Sequence, residues 1–132
     1  MTPQERADLV AAALRAQRGA YAPYSHFPVG AAVLTGGGRT YLGANVENAS
    51  FGLTMCAERV AAGAAVASGD REFVAVAIAL RGGGTPCGAC RQVLSEFNPD
   101  VPILIVDSEN PGHVRETNLA TLLPARFEGP QS

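Results

Sequence analysis

The sequence predicts an α/β fold in which a mixed sheet is covered by helices. Two apolar runs of strand length, residues 73–80 and 103–106, flank a segment of helical character at residues 87–97. Earlier, residues 29–34 and 40–44 read as a pair of strands joined by Gly36-Gly37-Gly38, the signature of a hairpin. Between these two regions lies an alanine-rich stretch, residues 57–67, in which only Glu58 and Arg59 are charged; so apolar a helix is expected to be buried on every side. At 132 residues and 13.6 kDa, the chain is expected to be one domain, residues 1–132, with one core.

In chain order, Thr2-Pro3-Gln4-Glu5 has the form of a helix start: a hydroxyl cap, proline at the first helical position and a glutamate three residues after the cap. The helix runs to about Arg18 on a stripe of Leu9, Val10, Ala13 and Leu14, and Gly19 ends it. Residues 21–28, Tyr-Ala-Pro-Tyr-Ser-His-Phe-Pro, form a loop stiffened by two prolines. Its aromatics and His26 suit ligand contact, although Tyr21 and Tyr24 could instead plug the core. Glycines 36–38 lack the lysine and hydroxyl of a P-loop, so they are read as a turn. Thr54 is read as the cap of a helix beginning near Met55, which would place Cys56 in its first turn. Gly69-Asp70 turns the chain into residues 73–80, and Gly82-Gly83-Gly84 loosens the connection to Pro86. A further strand or turn lies around His113, and a short final helix at residues 119–123 is stopped by Pro124. Phe127 follows in a polar tail and is expected to dock, on another subunit if not on its own.

Composition excludes several function classes. The net charge is -2, the pI is near 5.6, and all ten basic residues are arginine, a poor basis for a nonspecific phosphate-backbone binder, so no nucleic-acid partner is expected. No apolar stretch is long enough to span a bilayer, so no membrane is expected, and residues 1–6 lack the pattern of a signal peptide. A cytoplasmic protein is expected. Hydrophobic residues make up 47% and the mean hydropathy is +0.10, a surplus of apolar surface that suggests burial against other subunits. Three cysteines, an odd number, argue against a disulfide framework and suit thiolates held by a metal.

Those cysteines carry the chemistry. Cys87 and Cys90 alone are as compatible with a redox dithiol as with metal binding. Cys56 supplies a third thiol, and three thiolates with a fourth position left to water form a zinc geometry capable of catalysis. Neither histidine is marked by spacing as a fourth ligand. Glu58, two residues beyond Cys56, is the expected catalytic carboxylate, taking a proton from water and returning it to a leaving group. Arg59 is expected to donate to sulfur and offset the thiolate charge, with Arg91 as the competitor for that role. Cys56-Ala57-Glu58 joined by Pro86-Cys87-Gly88-Ala89-Cys90 matches the zinc deaminase pattern residue by residue.

The chain therefore resembles the cytidine deaminase family, in its small form with three cysteine zinc ligands. The resemblance runs through residues 21–32, Asn45-Val-Glu-Asn-Ala-Ser, Cys56-Ala-Glu-Arg, Pro86-Cys-Gly-Ala-Cys-Arg-Gln-Val-Leu and Leu122-Leu-Pro-Ala-Arg-Phe127. It implies a three-layer cytidine deaminase-like fold, one Zn2+ per subunit, a homotetramer with shared sites, and conversion of cytidine and deoxycytidine to the uridine nucleosides with release of ammonia. It also implies that Phe27 faces the base, that Asn45 and Glu47 hold the ribose 3′-hydroxyl, and that Ala57 and Cys87 offer backbone contacts to the pyrimidine edge. Phe127 is similar to the aromatic that completes a neighbour's site in that family. The segment between Phe73 and Pro86 departs from the pattern: it is shorter, richer in glycine and lacks the usual acidic residue. Two other readings compete. Deaminases of blasticidin S share the Pro-Cys-x-x-Cys-Arg-Gln-Val run but depart from Asn-x-Glu-Asn, and a structural zinc module binding a protein partner would need no Glu58.

Overall fold

The computed structural model describes residues 1–130. Its elements are α1 (Pro3–Gln17), β1 (Val29–Thr35), β2 (Thr40–Ala44), a 3-10 turn at Phe51–Leu53, α2 (Ala57–Ala67), β3 (Phe73–Leu80), α3 (Gly88–Ser95), β4 (Pro102–Asp107), β5 (Asn110–Asn118) and α4 (Leu119–Leu122). The strands form one sheet in the order β2-β1-β3-β4-β5, antiparallel throughout except for the parallel pair β3 and β4. The expected mixed sheet is thus present, and helices cover both faces. Leu9, Val10 and Ala13 of α1 pack on Ala32, Ala75, Ala77, Ala79 and Leu104 of one face. Residues of α2, α3 and α4 pack on the other, against Val33, Val76, Ile78, Ile103 and Ile105.

Alternation along the strands explains this division, since neighbouring side chains point to opposite faces. Small residues line the α1 side and branched ones the α2 side. One break in the pattern decides where Phe73 goes. Leu34 pairs with Ala75 while Thr35 pairs with Phe73, so Val74 is an extra residue in β3. That bulge turns Phe73 to the α2 side, where its ring stacks on Phe97 with centroids 4.8 Å apart.

The start of α1 follows the sequence expectation closely. Thr2 accepts from the Glu5 N–H while Glu5 accepts from the Thr2 N–H, a complete capping box. Two other helix starts differ from expectation. Val46 and Met55 exchange backbone hydrogen bonds as an antiparallel bridge, which keeps the chain extended through Met55. The helix therefore begins after Cys56, which is its N-cap, and Thr54 instead closes the 3-10 turn. Likewise Cys87 stays extended as the N-cap of α3, whose first helical hydrogen bond runs from the Arg91 N–H to the Cys87 carbonyl. Nor is α2 buried all round: Ala57, Ala61, Ala62 and Ala65 face the core, while Gly63 is exposed. The strand near His113 is longer than the sequence suggested, because β5 is an edge strand whose exposed residues carry no apolar run.

Strand direction places the site. Because β1 lies between β2 and β3 and is antiparallel to both, β2 and β3 run the same way and end at one edge of the sheet. Both are followed by a helix, so α2 and α3 begin at that edge. The first residues of β1 lie there too, with Gly30 opposite Ala44 and Val29 opposite Leu80.

Close backbone contact fixes α2 against this edge. A Cβ at Gly43 would stand 2.3 Å from the Ala57 carbonyl oxygen and 2.4 Å from the Ala61 nitrogen. Gly43→Ala is accordingly expected to lower the unfolding free energy by about 1–3 kcal/mol through overpacking. Gly63→Ala, where a Cβ meets nothing within 4 Å, should instead stabilise by about 0.5–1 kcal/mol. Urea midpoints for the two variants check this, and an unperturbed Gly43→Ala would show that α2 does not rest on the β2 backbone.

Candidate metal centre and active site

The two helix starts at the sheet edge bring three sulfurs together. Cys56 and Cys87 cap α2 and α3, and Cys90 lies one turn into α3. The Cys87 and Cys90 Sγ atoms are 3.4 Å apart, those of Cys56 and Cys87 are 3.9 Å apart, and all three lie within 4.8 Å of one another. Tetrahedral zinc with Zn–S bonds of about 2.3 Å requires sulfur separations of about 3.8 Å, so the donor set fits that ion. No other group of three or more His, Cys, Asp or Glu side chains suited to a metal occurs among the described residues. Cys90 is buried, Cys56 half-buried and Cys87 exposed, so access is from the Cys87 side.

Protonation at this cluster is frustrated without a cation. Burial pushes the Cys90 thiol up, and the Glu58 charge and the other two sulfurs push it further. At Cys87 burial also raises the thiol, but the N–H groups at the start of α3 and the neighbouring sulfurs outweigh it and hold it below the ordinary value. The two thiols are thus pushed in opposite directions. A divalent cation removes this conflict by allowing all three to be thiolates.

Glu58 and Arg59 flank the sulfurs. Glu58 sits at the start of α2 and is only 5% exposed, and burial raises its carboxyl above the usual range, opposed by the Cys90 thiol and the Arg59 charge. A carboxyl raised in this way holds a proton more readily than a free one, which suits a proton carrier. Arg59 Nη2 donates to Cys56 Sγ at 3.2 Å and to the Thr54 carbonyl at 3.4 Å. Its Nε is buried and has no hydrogen-bond partner among the described residues. The guanidinium therefore faces the sulfurs. Arg91 does not: it donates to the Pro86 carbonyl, the Leu122 carbonyl and the Thr85 hydroxyl.

A cavity of about 310 Å3 opens over this cluster. Of the residues singled out in the sequence, Phe27, Asn45, Glu47, Cys56, Ala57, Glu58 and Cys87 all line it. Their positions follow from backbone pairing. The 45–47 segment is held by Tyr21 on one side and Met55 on the other. Asn45 Nδ2 donates to the Phe27 carbonyl at 3.0 Å and its Oδ1 accepts from the Val29 N–H at 2.9 Å, so this one side chain fixes the start of β1. Glu47 Oε1 accepts from the N–H groups of Tyr24 and Ser25 at 3.0 and 3.1 Å, and its Oε2 accepts from the Ser25 hydroxyl. These donors, the Ser25 side chain first, hold the Glu47 carboxyl below its ordinary value. Its ionised form is therefore the one that these donors favour.

Other placements were not legible beforehand. Ser25, Thr54 and Thr85 line the cavity, and only the stiff 21–28 loop hinted at the first. Tyr21 and Tyr24 are exposed and plug no core; Tyr24 instead meets Phe51 edge-on at 5.9 Å. Outside the cavity wall, the Arg81 guanidinium lies 5.0 Å from the Phe27 ring centroid. Phe127 does not reach the cavity of its own chain, and it is largely exposed.

Comparison with known proteins agrees with this geometry. Residues 3–105 match the family model described as the cytidine and deoxycytidylate deaminase zinc-binding region. A cytidine deaminase of Sporosarcina psychrophila is 45% identical over 122 residues, covering 90% of this chain and 88% of its own. The crystal structure of cytidine deaminase from Burkholderia pseudomallei superposes with a TM-score of 0.87 at 45% identity, covering 96% of this chain and all of that one. A blasticidin-S deaminase of Bacillus cereus is more distant, at 31% identity over 110 residues, 75% of this chain and 76% of the other.

The frustrated cysteine cluster predicts proton-coupled metal binding. Zn2+ added to metal-free protein should release protons, because the raised Cys90 thiol must ionise, and affinity should fall as pH is lowered. Calorimetry in buffers of differing ionisation enthalpy measures both, and Cys90→Ala should abolish tight binding. Binding without proton release would exclude coordination by all three thiolates.

Proposed function

The chain belongs to the cytidine and deoxycytidylate deaminase zinc-binding family, and from that premise we propose that it is a cytidine deaminase, hydrolysing cytidine and 2′-deoxycytidine to the uridine nucleosides and ammonia. The observation that carries this reading is the convergence of a buried carboxyl, Glu58, and two cysteines of the three-thiol cluster, Cys56 and Cys87, on one cavity that Asn45 and Glu47 also line. Cys56, Cys87 and Cys90 are the residues that would hold one Zn2+ per subunit. When bound, that ion supplies Lewis acidity, which lowers the pKa of water and stabilises negative charge on oxygen.

The remaining work falls to side chains. Glu58 takes a proton from the attacking water, whose oxygen adds to C4 of the cytosine ring. It delivers that proton to N3, then takes the proton of the new C4 hydroxyl and passes it to the departing amino group, so that ammonia leaves and the C4 oxygen becomes the uracil carbonyl. Its raised carboxyl suits both directions of transfer. Arg59, donating to Cys56, offsets the negative charge that three thiolates concentrate. Phe27 faces the base, and the main chain at Ala57 and Cys87 meets the pyrimidine edge. Asn45, with an amide hydrogen left after its bond to Phe27, and Glu47 bind the ribose 3′-hydroxyl. Glu47 also discriminates: a carboxylate lining the cavity repels a 5′-phosphate, which favours free nucleosides over nucleotides.

Association completes the proposal. Leu42 is exposed on β2, Val46, Phe51, Leu53 and Met55 are exposed on the connection from β2 to α2, and Phe127 is exposed in the tail. Apolar surface of this extent supports a homo-oligomer, which we assign as a tetramer with Phe127 completing a neighbour's site. No helix of the described residues is long and apolar enough to cross a membrane, and the acidic composition speaks against a nucleic-acid partner. We place the enzyme in cytoplasmic pyrimidine salvage.

An ultraviolet assay over cytidine, deoxycytidine, cytidine monophosphate and blasticidin S tests the substrate class. The two free nucleosides should turn over fastest; preference for blasticidin S would move the chain to that rival activity. Glu58→Gln, which keeps the shape of the side chain, should retain zinc and fold yet lower kcat by about 10²-fold or more. Unchanged turnover in that variant would remove Glu58 from the mechanism.

A further inference from the structure

The C-terminal segment is tied to the helix that carries two of the cysteines. Gln92 Nε2 donates to the Phe127 carbonyl at 2.9 Å. Its neighbour Arg91 donates from Nη1 to the Leu122 carbonyl at 2.8 Å. These two residues of α3 therefore grip both ends of the 122–127 segment. The same Arg91 guanidinium holds the Pro86 carbonyl at 2.7 Å and the Thr85 hydroxyl at 2.9 Å, in the loop that leads to Cys87.

Packing alone does not account for the grip at Phe127. Leu119 is fully buried, and Leu122 and Leu123 pack against the core, so α4 is held by apolar contact. Beyond Leu123 that contact ends. The chain then passes through Ala125 at φ +50, a left-handed conformation that residues other than glycine adopt rarely and at a cost. Two residues later the Phe127 backbone accepts from Gln92 while the residue as a whole stands 73% exposed. An anchored backbone with a free aromatic ring loses little conformational freedom when the ring docks.

We propose that Arg91 and Gln92 are positioning residues that anchor the 122–127 arm on α3 and so set where Phe127 is presented to the cavity of a neighbouring copy. The inference rests on the reading of Phe127 given above, as an aromatic that completes another subunit's site. Gln92 acts through Phe127 and touches no substrate. Since Arg91 also holds the loop before Cys87, one helix positions the cysteines of its own site and the arm destined for the next.

The test uses full-length, zinc-loaded protein and steady-state kinetics with cytidine. Gln92→Met keeps the length of the side chain and removes the donor; it should raise KM about two- to tenfold, the worth of one hydrogen bond, with kcat and zinc content unchanged. Phe127→Ala should raise KM at least as much, and the double variant should be no worse than Phe127→Ala alone. A wild-type KM in Gln92→Met beside a raised KM in Phe127→Ala overturns the anchor, as do additive effects or a loss of zinc in Gln92→Met. A wild-type KM in Phe127→Ala overturns the reading of Phe127 itself. Should the first variant misfold, Gln92→Glu, which has the same shape and also lacks the donor, reads the same outcomes.

Discussion

Two helices can present their N-termini to one point only if the strands before them end at the same edge of a sheet. Here that condition is met by placing β1 between β2 and β3 and antiparallel to both. Everything at the site inherits this arrangement. Cys56 and Cys87 cap two helices that begin side by side, and the start of β1 brings Phe27 to the same place. Gly43 then allows α2 to lie directly on the β2 backbone, which brings the first turn of the helix, and Glu58 with it, to the cavity floor. The distances among the sulfurs are a consequence of strand order and one missing side chain.

Placing three thiols, a carboxyl and a guanidinium in so small a volume stores electrostatic conflict. Each carboxylate or thiolate formed there raises the cost of the next, as the opposite tendencies of Cys87 and Cys90 show. Arg59 relieves part of this through Cys56, and its orphaned Nε is the residue of a guanidinium committed to one direction. Such conflict is characteristic of sites built for chemistry, where local stability is given up and recovered in the surrounding core. The recovery is visible in the two fully packed faces of the sheet.

Much of this was legible in the sequence because it depends on residue type at short range. The capping box of α1, the glycine turn and the strand at Phe73–Leu80 follow from local pattern, and the fold class follows from their order. The cysteines and Glu58 could be read because their chemistry restricts the alternatives. What was not legible was set by contacts distant in sequence. The bridge between Val46 and Met55 moved the start of α2, and the bulge at Val74 reversed the side on which Phe73 packs. The Ser25 hydroxyl met Glu47 across 22 positions of chain, and β5 formed on exposed residues because β4 offered it an edge.

The cavity separates two kinds of duty. Its polar groups are pinned by main-chain hydrogen bonds and helix starts, as Asn45 is to Phe27 and Val29, and Glu47 to Tyr24 and Ser25. The aliphatic side chains of Val29, Ile78 and Leu80 complete the wall. The frame that performs the reaction and the upholstery that shapes the guest are thus independent parts. Exchanging one of these three aliphatic side chains for another of different bulk would resize the chamber while the reactive groups stay where the sheet puts them, so selectivity for modified bases is free to drift without the chemistry being rebuilt.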